Sequence, residues 1–379
     1  MRKLFLSMLF ACMTTLLLVS FVSCEEKGVA LGDPYIDAPS RAMRMETVSV
    51  TYKNVSSSTE VVVDFGDGTN PVITRGNTTV THQYQNASEG SQPDGTYHIT
   101  VTANGQKVEK RIGVYKLLAL SELAKELKQP GCTRVLVMAH RANTANKSIP
   151  ENSLAAIDAC IKAGVDIVET DTQATLDGEV VISHDQTINS TTNGTGDITT
   201  MTLADIRKFK RVDRNLQLYP NETILTLKEF LLAARGKIYV NLDYSPRTAT
   251  TAQVMSIVKE LDMMEQVLFY CNTTTKIEEV LAASSTAHAY TWYSNYEVLK
   301  DRPGNYFVQC SYEPGKTPNL GNAIRDGMIC TVNMLTDVPA TEVNDDQLNE
   351  LLSLFPDARV IHTDSSDKLV AALAAKGKR

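Results

Sequence analysis

From Val135 onward, apolar strand-like runs alternate with amphipathic stretches, and that alternation narrows the fold more than any other feature of the chain. The runs are Val135–Ala139, Val165–Thr170, Ile238–Leu242, Gln266–Tyr270, His288–Thr291, Tyr306–Gln309, Met328–Val332 and Arg359–His362. Short apolar runs bounded by polar residues read as buried strands. The stretches between them read as helices, and three open with capping-box spacing: Thr226…Glu229, Thr275…Glu278 and Ser294…Glu297. Eight strands over roughly 245 residues predict an α/β fold, a TIM-type (β/α)₈ barrel, whose usual length is about 250. An open doubly wound sheet is the competitor, but no GxGxxG follows any of the runs.

Residues 133–379 are assigned to the barrel and residues 116–132 to a linker. Within that linker Ser121–Lys128 reads as an amphipathic helix, with Leu120, Leu123, Ala124 and Leu127 on one face and Pro130-Gly131 ending it. Residues 45–115 carry shorter β-rich runs: Thr47–Tyr52, Glu60–Phe65, Thr78–Tyr84, Tyr97–Thr102 and Lys107–Val114. Turn residues such as "GDGTN" and "QPDGT" part them, which predicts a small all-β sandwich. Asp64-Phe65-Gly66-Asp67-Gly68 suits a tight turn, because its glycines can take positive φ; a calcium site on Asp64 and Asp67 is the weaker reading.

At the N-terminus, Arg2 and Lys3 precede an uncharged run from Leu4 to Ser23, then Cys24-Glu25-Glu26. Residues 1–23 read as an export signal. Ser23-Cys24 resembles the bacterial lipoprotein cleavage box, with Phe21 where Leu is usual, which makes Cys24 the lipidated first residue of the mature chain. An uncleaved anchor, for which the run is long enough to span a membrane, and plain secretion are the alternatives. Residues 24–44, polar with Gly and Pro, read as a tether. The expectation is an exported lipoprotein held to the cell envelope, at the outer membrane or cell surface, by its N-terminal lipid. A net charge of -7 without a dense basic block argues against nucleic acid as a main partner. The five cysteines beyond the export segment show no CxxC spacing, which argues against zinc and a disulfide framework.

Barrel enzymes place their chemistry at the C-terminal ends of the strands. His140 and Arg141 end the first run, and "DIVETD" ends the second with Glu169 and Asp171 two apart. Period two puts both carboxylates on one face of a strand, and Asn241 and Asp243 repeat the spacing in "IYVNLDYS". "EVVISHD" reads as a short strand ending in His184, and the last run ends at Thr363 and Asp364. Three carboxylates facing one mouth repel unless a cation or proton neutralises them. Hard oxygen ligands favour one divalent cation, Mg²⁺ or Ca²⁺. Two histidines and an arginine add an acid, a base and an anion clamp, a set suited to cleaving a phosphodiester.

These pieces resemble the glycerophosphodiester phosphodiesterase family over about Val135 to Leu373, the PI-PLC-like phosphodiesterase barrel. The matching stretches are "HRA…PENS", "GVDIVETDTQATLDGEVVISHD", "STTNGTGDITTMTLADI", "LTLKEFL", "VNLD", "CTVN" and "HTD". The resemblance implies His140 and His184 as the general acid/base pair, Arg141 as the substrate phosphate ligand, and Glu169, Asp171 and Asp243 as metal ligands. It implies cleavage of a small-molecule glycerophosphodiester to glycerol 3-phosphate and an alcohol through a cyclic phosphate. Upstream, "VVVDFGDGT", "HQY" and "GTYHITVTA" resemble PKD-type immunoglobulin-like domains.

Four positions depart from the family pattern. Asp243 stands where Glu is usual, Ser245 where a phosphate-binding Lys is common, Ala142 for Gly, and Cys330 for Trp. Together they predict an altered substrate pocket, with Arg247 the cation nearest to Ser245. Asn152 reads as the N-cap of the helix after Pro150-Glu151. His362 reads as a rim or core histidine, His288 as structural, and Trp292 and Tyr293 as stacking or packing residues. Two other functions fit the same residues: a phospholipase-like enzyme acting on intact lipid or phosphoinositol headgroups, and a surface-binding barrel without activity.

Overall fold

Eight parallel strands close on one another: β1 (Leu136–Ala139), β2 (Ile167–Ala174), β3 (Tyr239–Asp243), β4 (Val267–Tyr270), β5 (His288–Trp292), β6 (Phe307–Ser311), β7 (Ile329–Asn333) and β8 (Ala358–Thr363). The ring shuts where β8 pairs with β1, Val360 against Leu136, and β1 pairs with β2, Met138 against Ile167. This is the (β/α)₈ barrel expected from the apolar runs. The structure, a computed structural model, describes residues 34–379 apart from 40, 44–46, 85–95, 116, 244–247, 303, 314, 316–317, 319 and 336–344. The export segment with Cys24, the departure at Ser245 and the neighbouring Arg247 lie outside the described residues.

Alternation along each strand sorts side chains into two layers. Outward residues such as Val137, Val168, Val240, Phe269, Val308 and Ile361 form one core with helix residues Ile157, Phe230, Val254, Ile277, Leu348 and Leu369. Inward residues Leu136, Ile167, Leu268, Tyr290, Phe307 and Val360 fill the base of the barrel. The predicted linker helix, observed over Leu120–Leu127, lays Leu120, Leu123, Ala124 and Leu127 on that base. Leu120 N donates to Glu265 O at 2.8 Å, and Ser121 N to the Glu265 carboxylate at 3.0 Å. Tyr239 Oη donates to Leu118 O at 2.8 Å, so a polar group buried in the base is also satisfied.

Local signals were right where the backbone could accept them. Thr226 and Glu229 form a complete capping box on the helix Leu227–Ala234. In the helix Thr274–Ala283 the cap is Thr273, whose extended backbone lets its hydroxyl accept from Lys276 N; Thr275 already lies inside the first turn. Tyr293–Val298 is a short 3₁₀ helix without a side-chain cap, so the Ser294…Glu297 spacing does no capping there.

The chain divides into two compact units, one drawing on residues up to Pro39, Ser49–Thr81 and His98–Lys110, the other on Ser40–Val48, His82–Tyr97 and Arg111–Arg379. The first is all β: Glu60–Asp64 lies between Val72–Arg75 and Thr100–Ala103, with Val61, Val63, Ile99 and Val101 buried by alternation. Its "FGDGT" turn is closed by Asp64 accepting from Gly66 N at 2.8 Å and Asp67 from Thr69 N at 3.2 Å. Strands Tyr35–Asp37 and Arg41–Met43 fall within the stretch read as a tether. The edge strand Val72–Arg75 is also additional; its mostly exposed residues leave no apolar alternation to read.

Candidate active site

Along β2 the inward positions run Ile167, Glu169, Asp171, and along β3 Tyr239, Asn241, Asp243. Register sets Glu169 against Asn241 and Asp171 against Asp243, so the acids converge at the C-terminal mouth. Glu169 is 3% and Asp171 1% exposed. Ligand-capable oxygens of Glu169, Asp171 and Asp243 all lie within 4.8 Å of one another, the one such acidic group among the described residues. Burial, reinforced by the charge of Asp243, pushes the Glu169 carboxyl up to about 7, although His140 and the Arg141 backbone N–H oppose the shift. Crowded carboxylates with hard oxygen donors fit a divalent cation such as Mg²⁺ or Ca²⁺.

The end of β1 turns sharply. Arg141 and Ala142 both have positive φ, 51° and 54°, in the left-handed region that costs a side-chain residue roughly 1–2 kcal/mol. Glycine, usual at this position in the family the sequence resembles, would take this conformation freely, whereas Ala142 meets it with strain. The turn is tied down by Arg141 N donating to Glu169 at 2.9 Å and by Asn152 N donating to Arg141 O at 2.9 Å. It leaves His140 at the mouth, with Nδ1 against Asp364 Oδ1 at 2.9 Å. Burial opposes ionisation of Asp364, but His140 and Arg214 together hold its carboxyl well below the usual range.

His184 arrives by another route. Strand Val180–Ile182 pairs antiparallel with β2, Ile182 against Thr172, and folds the chain back over the mouth. Ser183 N donates to Asp171 O at 3.1 Å, which sets the next residue beside the acidic group. His184 Nδ1 meets Asp185 Oδ1 at 2.8 Å, and Asp185 accepts from Ser190 Oγ at 2.7 Å.

A cavity of about 320 Å³ gathers His140, His184, Glu169, Asp171 and Asp243. Tyr270, Asn272, Tyr290, Trp292, Gln309, Asn333 and His362 line its remaining wall. Arg141 is not among the lining side chains; its Nη1 donates to Glu151 at 3.2 Å. Burial opposes its charge, yet Glu151, Asp171 and Glu169 raise its pKa further. His362 belongs to the wall, with Nε2 3.7 Å from Glu169, and burial pushes its imidazole down to about 4, which leaves it neutral near pH 7. His288 is structural as expected, with Nδ1 2.7 Å from Gly304 O. Trp292 lines the cavity, whereas Tyr293 packs on the outer core.

Two expectations need correction. Asn152 is not the N-cap: its φ of 55° is incompatible with the extended backbone a cap requires, and its carboxamide accepts from Thr170 Oγ1 at 2.8 Å. Ser153 caps the helix Leu154–Ala163 instead, accepting from Ala156 N at 3.0 Å. Cys330 does not reshape the mouth. It faces the outer core, with its sulfur 3.9 Å from that of Cys310, so losing an aromatic there leaves the cavity wall untouched.

Tyr270 and Gln309 were within reach of the sequence, since each closes an apolar run at an inward position. Arg214, whose Nη2 donates to Asp364 at 3.2 Å, was not: it sits in a polar loop with no periodic signal.

Residues 140–296 match the Glycerophosphoryl diester phosphodiesterase family. A Caldanaerobacter subterraneus subsp. tengcongensis glycerophosphodiester phosphodiesterase is 32% identical over 140 residues, 36% of this chain and 57% of that protein. Glycerophosphodiester phosphodiesterase 1 of Bos taurus is 42% identical over 98 residues, 25% of this chain and 29% of that protein. The chain thus spans little more than half the length of the first relative and under a third of the second. Among solved structures, a glycerophosphoryl diester phosphodiesterase from Parabacteroides distasonis aligns with a TM-score of 0.59 at 18% identity, covering 69% of this chain and 93% of that one. An Oleispira antarctica phosphodiesterase in complex with the product sn-glycerol-3-phosphate aligns with a TM-score of 0.51 at 20% identity, covering 63% and 96%. Both share the barrel fold.

Proposed function

We propose that the barrel of this chain is a member of the glycerophosphoryl diester phosphodiesterase family and hydrolyses glycerophosphodiesters to glycerol 3-phosphate and an alcohol, a reading supported by the family match over residues 140–296 and by its relatives. One observation carries the reading: three mutually close carboxylates and two histidines line one small cavity at the strand C-termini. The product seen in the Oleispira antarctica phosphodiesterase is of the matching chemical class.

Glu169, Asp171 and Asp243 would hold the cation. When bound, it supplies positive charge that polarises the phosphoryl group. Arg141, beside the same acids, binds a non-bridging oxygen of the diester once its guanidinium turns from Glu151 toward the mouth. One of His140 and His184 accepts the proton of the glycerol 2-hydroxyl as that oxygen attacks phosphorus. The other protonates the departing alcohol as its P–O bond breaks. In the second step water attacks the cyclic phosphate, and the two histidines exchange roles as the ring opens to glycerol 3-phosphate. We extend the reading to the cell: Arg2, Lys3, the apolar run and Ser23-Cys24 support export as a lipoprotein that works at the envelope membrane.

The test measures glycerol 3-phosphate release from glycerophosphocholine, with and without chelator, for wild type, His140→Ala and His184→Ala. Each substitution should lower kcat by about 10²–10⁴-fold, and chelator should abolish turnover. Activity that survives chelator and both substitutions contradicts the mechanism. Cleavage of intact phospholipid alone would replace the substrate class.

A further inference from the structure

The two histidines at the mouth are held alike, but what holds each holder differs. In both, Nδ1 faces an aspartate oxygen, Asp364 for His140 at 2.9 Å and Asp185 for His184 at 2.8 Å. An ionised carboxylate only accepts, so Nδ1 must carry the proton, and the neutral ring then keeps its lone pair on Nε2. Asp185 is steadied by Ser190, five residues away. Asp364 is steadied by Arg214, 150 residues away, through a contact of 3.2 Å.

Arg214 stands in the loop between short strands Arg211–Val212 and Leu218–Tyr219. Asp213, 2% exposed, pins that loop by accepting from Asn215 N at 2.8 Å and Gln217 N at 2.9 Å. Arg214 Nη2 also lies 3.8 Å from Glu151, which accepts from Arg141 at 3.2 Å. The contacts run from His140 through Asp364, Arg214 and Glu151 to Arg141, alternating in charge from Asp364 onward, and return to the residue beside their start. Without Arg214, Asp364 would face one partner with its other valences open to water, and Glu151 and Asp364 would lose the cation they share.

We propose that Asp364 and Arg214 are positioning residues that hold His140 in its Nδ1–H form, with Nε2 as the proton-handling atom. The catalytic part of this claim rests on the phosphodiesterase reading above; the tautomer part does not. The full chain, labelled with ¹⁵N histidine, should show His140 as the Nδ1–H tautomer, assigned by its loss in His140→Gln. In Asp364→Asn the carboxamide can donate as well as accept, so the Nε2–H form should appear. In the diester assay Asp364→Asn should lose roughly 10²-fold in kcat with KM changed by less than about threefold. Arg214→Gln should lose roughly tenfold, and Arg214→Lys should recover most of that loss. An unchanged His140 tautomer in Asp364→Asn overturns the proposal, as does undiminished kcat in both Asp364→Asn and Arg214→Gln. Should the wild type cleave no diester, the phosphodiesterase reading fails, and the tautomer result alone decides whether Asp364 positions His140. Should Asp364→Asn fail to fold, the tautomer in Arg214→Gln takes its place: mixed forms support the proposal and a pure Nδ1–H form overturns it.

Discussion

At its base the barrel interior is apolar and plugged, whereas at its mouth, two to four residues further along the same strands, it is acidic and strained. β2 passes from Ile167 to Glu169 and Asp171, and β3 from Tyr239 to Asn241 and Asp243. At the base, the linker helix covers the inward side chains, and Tyr239 and the first helical amides have partners. At the mouth, Asn241 Oδ1 and both His362 nitrogens are buried with no hydrogen-bond partner among the described residues, and Arg141, Ala142 and Asn152 hold left-handed backbone. Stability and chemistry are thus separated along the strand axis. The base supplies the rigidity that lets the mouth keep like charges together.

That separation can be broken deliberately. Phe307→Ala removes a side chain 1% exposed in the base, and urea unfolding should report a loss of about 3–5 kcal/mol with little change in KM for any protein that remains folded. A loss under about 1 kcal/mol would mean that the base does not carry the fold.

A smaller effect should appear at the mouth as a pH dependence of opposite character. Burial first, then Asp243, puts the Glu169 carboxyl at about 7 against an ordinary 4.5. Between those values the folded chain retains a proton that the unfolded chain releases. The contribution of this group to stability is therefore greatest below about 4.5 and declines as pH rises to about 7. Comparing cation-free wild type with Glu169→Gln by denaturant melts at several pH values isolates it. The glutamine variant should lack the decline, and excess Mg²⁺ or Ca²⁺ should flatten it in the wild type.

The smallest effect belongs to the turn that joins the two layers. Ser153→Ala deletes the cap on Leu154–Ala163 and should cost about 1 kcal/mol. The same measurement on Asn152→Ala reports a different loss, that of the bond to Thr170, and helix content should stay unchanged.

How much of this was legible in the sequence follows from the range over which each signal acts. Strand existence and inward face are local and periodic, so Glu169, Asp171 and Asp243 could be placed together from spacing alone. Caps were less secure, because Asn152 and Ser153 are both good capping residues, and the left-handed turn that separates them depends on contacts with Arg141 and Thr170. Arg214 was beyond reach: its partner Asp364 is 150 residues away, and neither lies in a repeating pattern that ties one to the other. Strands Tyr35–Asp37 and Arg41–Met43 are three residues each, too short for alternation to register.

The most direct measurement is a calorimetric titration of Ca²⁺ and of Mg²⁺ into cation-free protein, repeated with Asp171→Asn and Asp243→Asn. The account predicts one equivalent bound per chain in the wild type, with protons released near pH 7 as Glu169 ionises, and binding weakened at least about tenfold in each variant. Absence of binding, or affinity unchanged by either substitution, would contradict it.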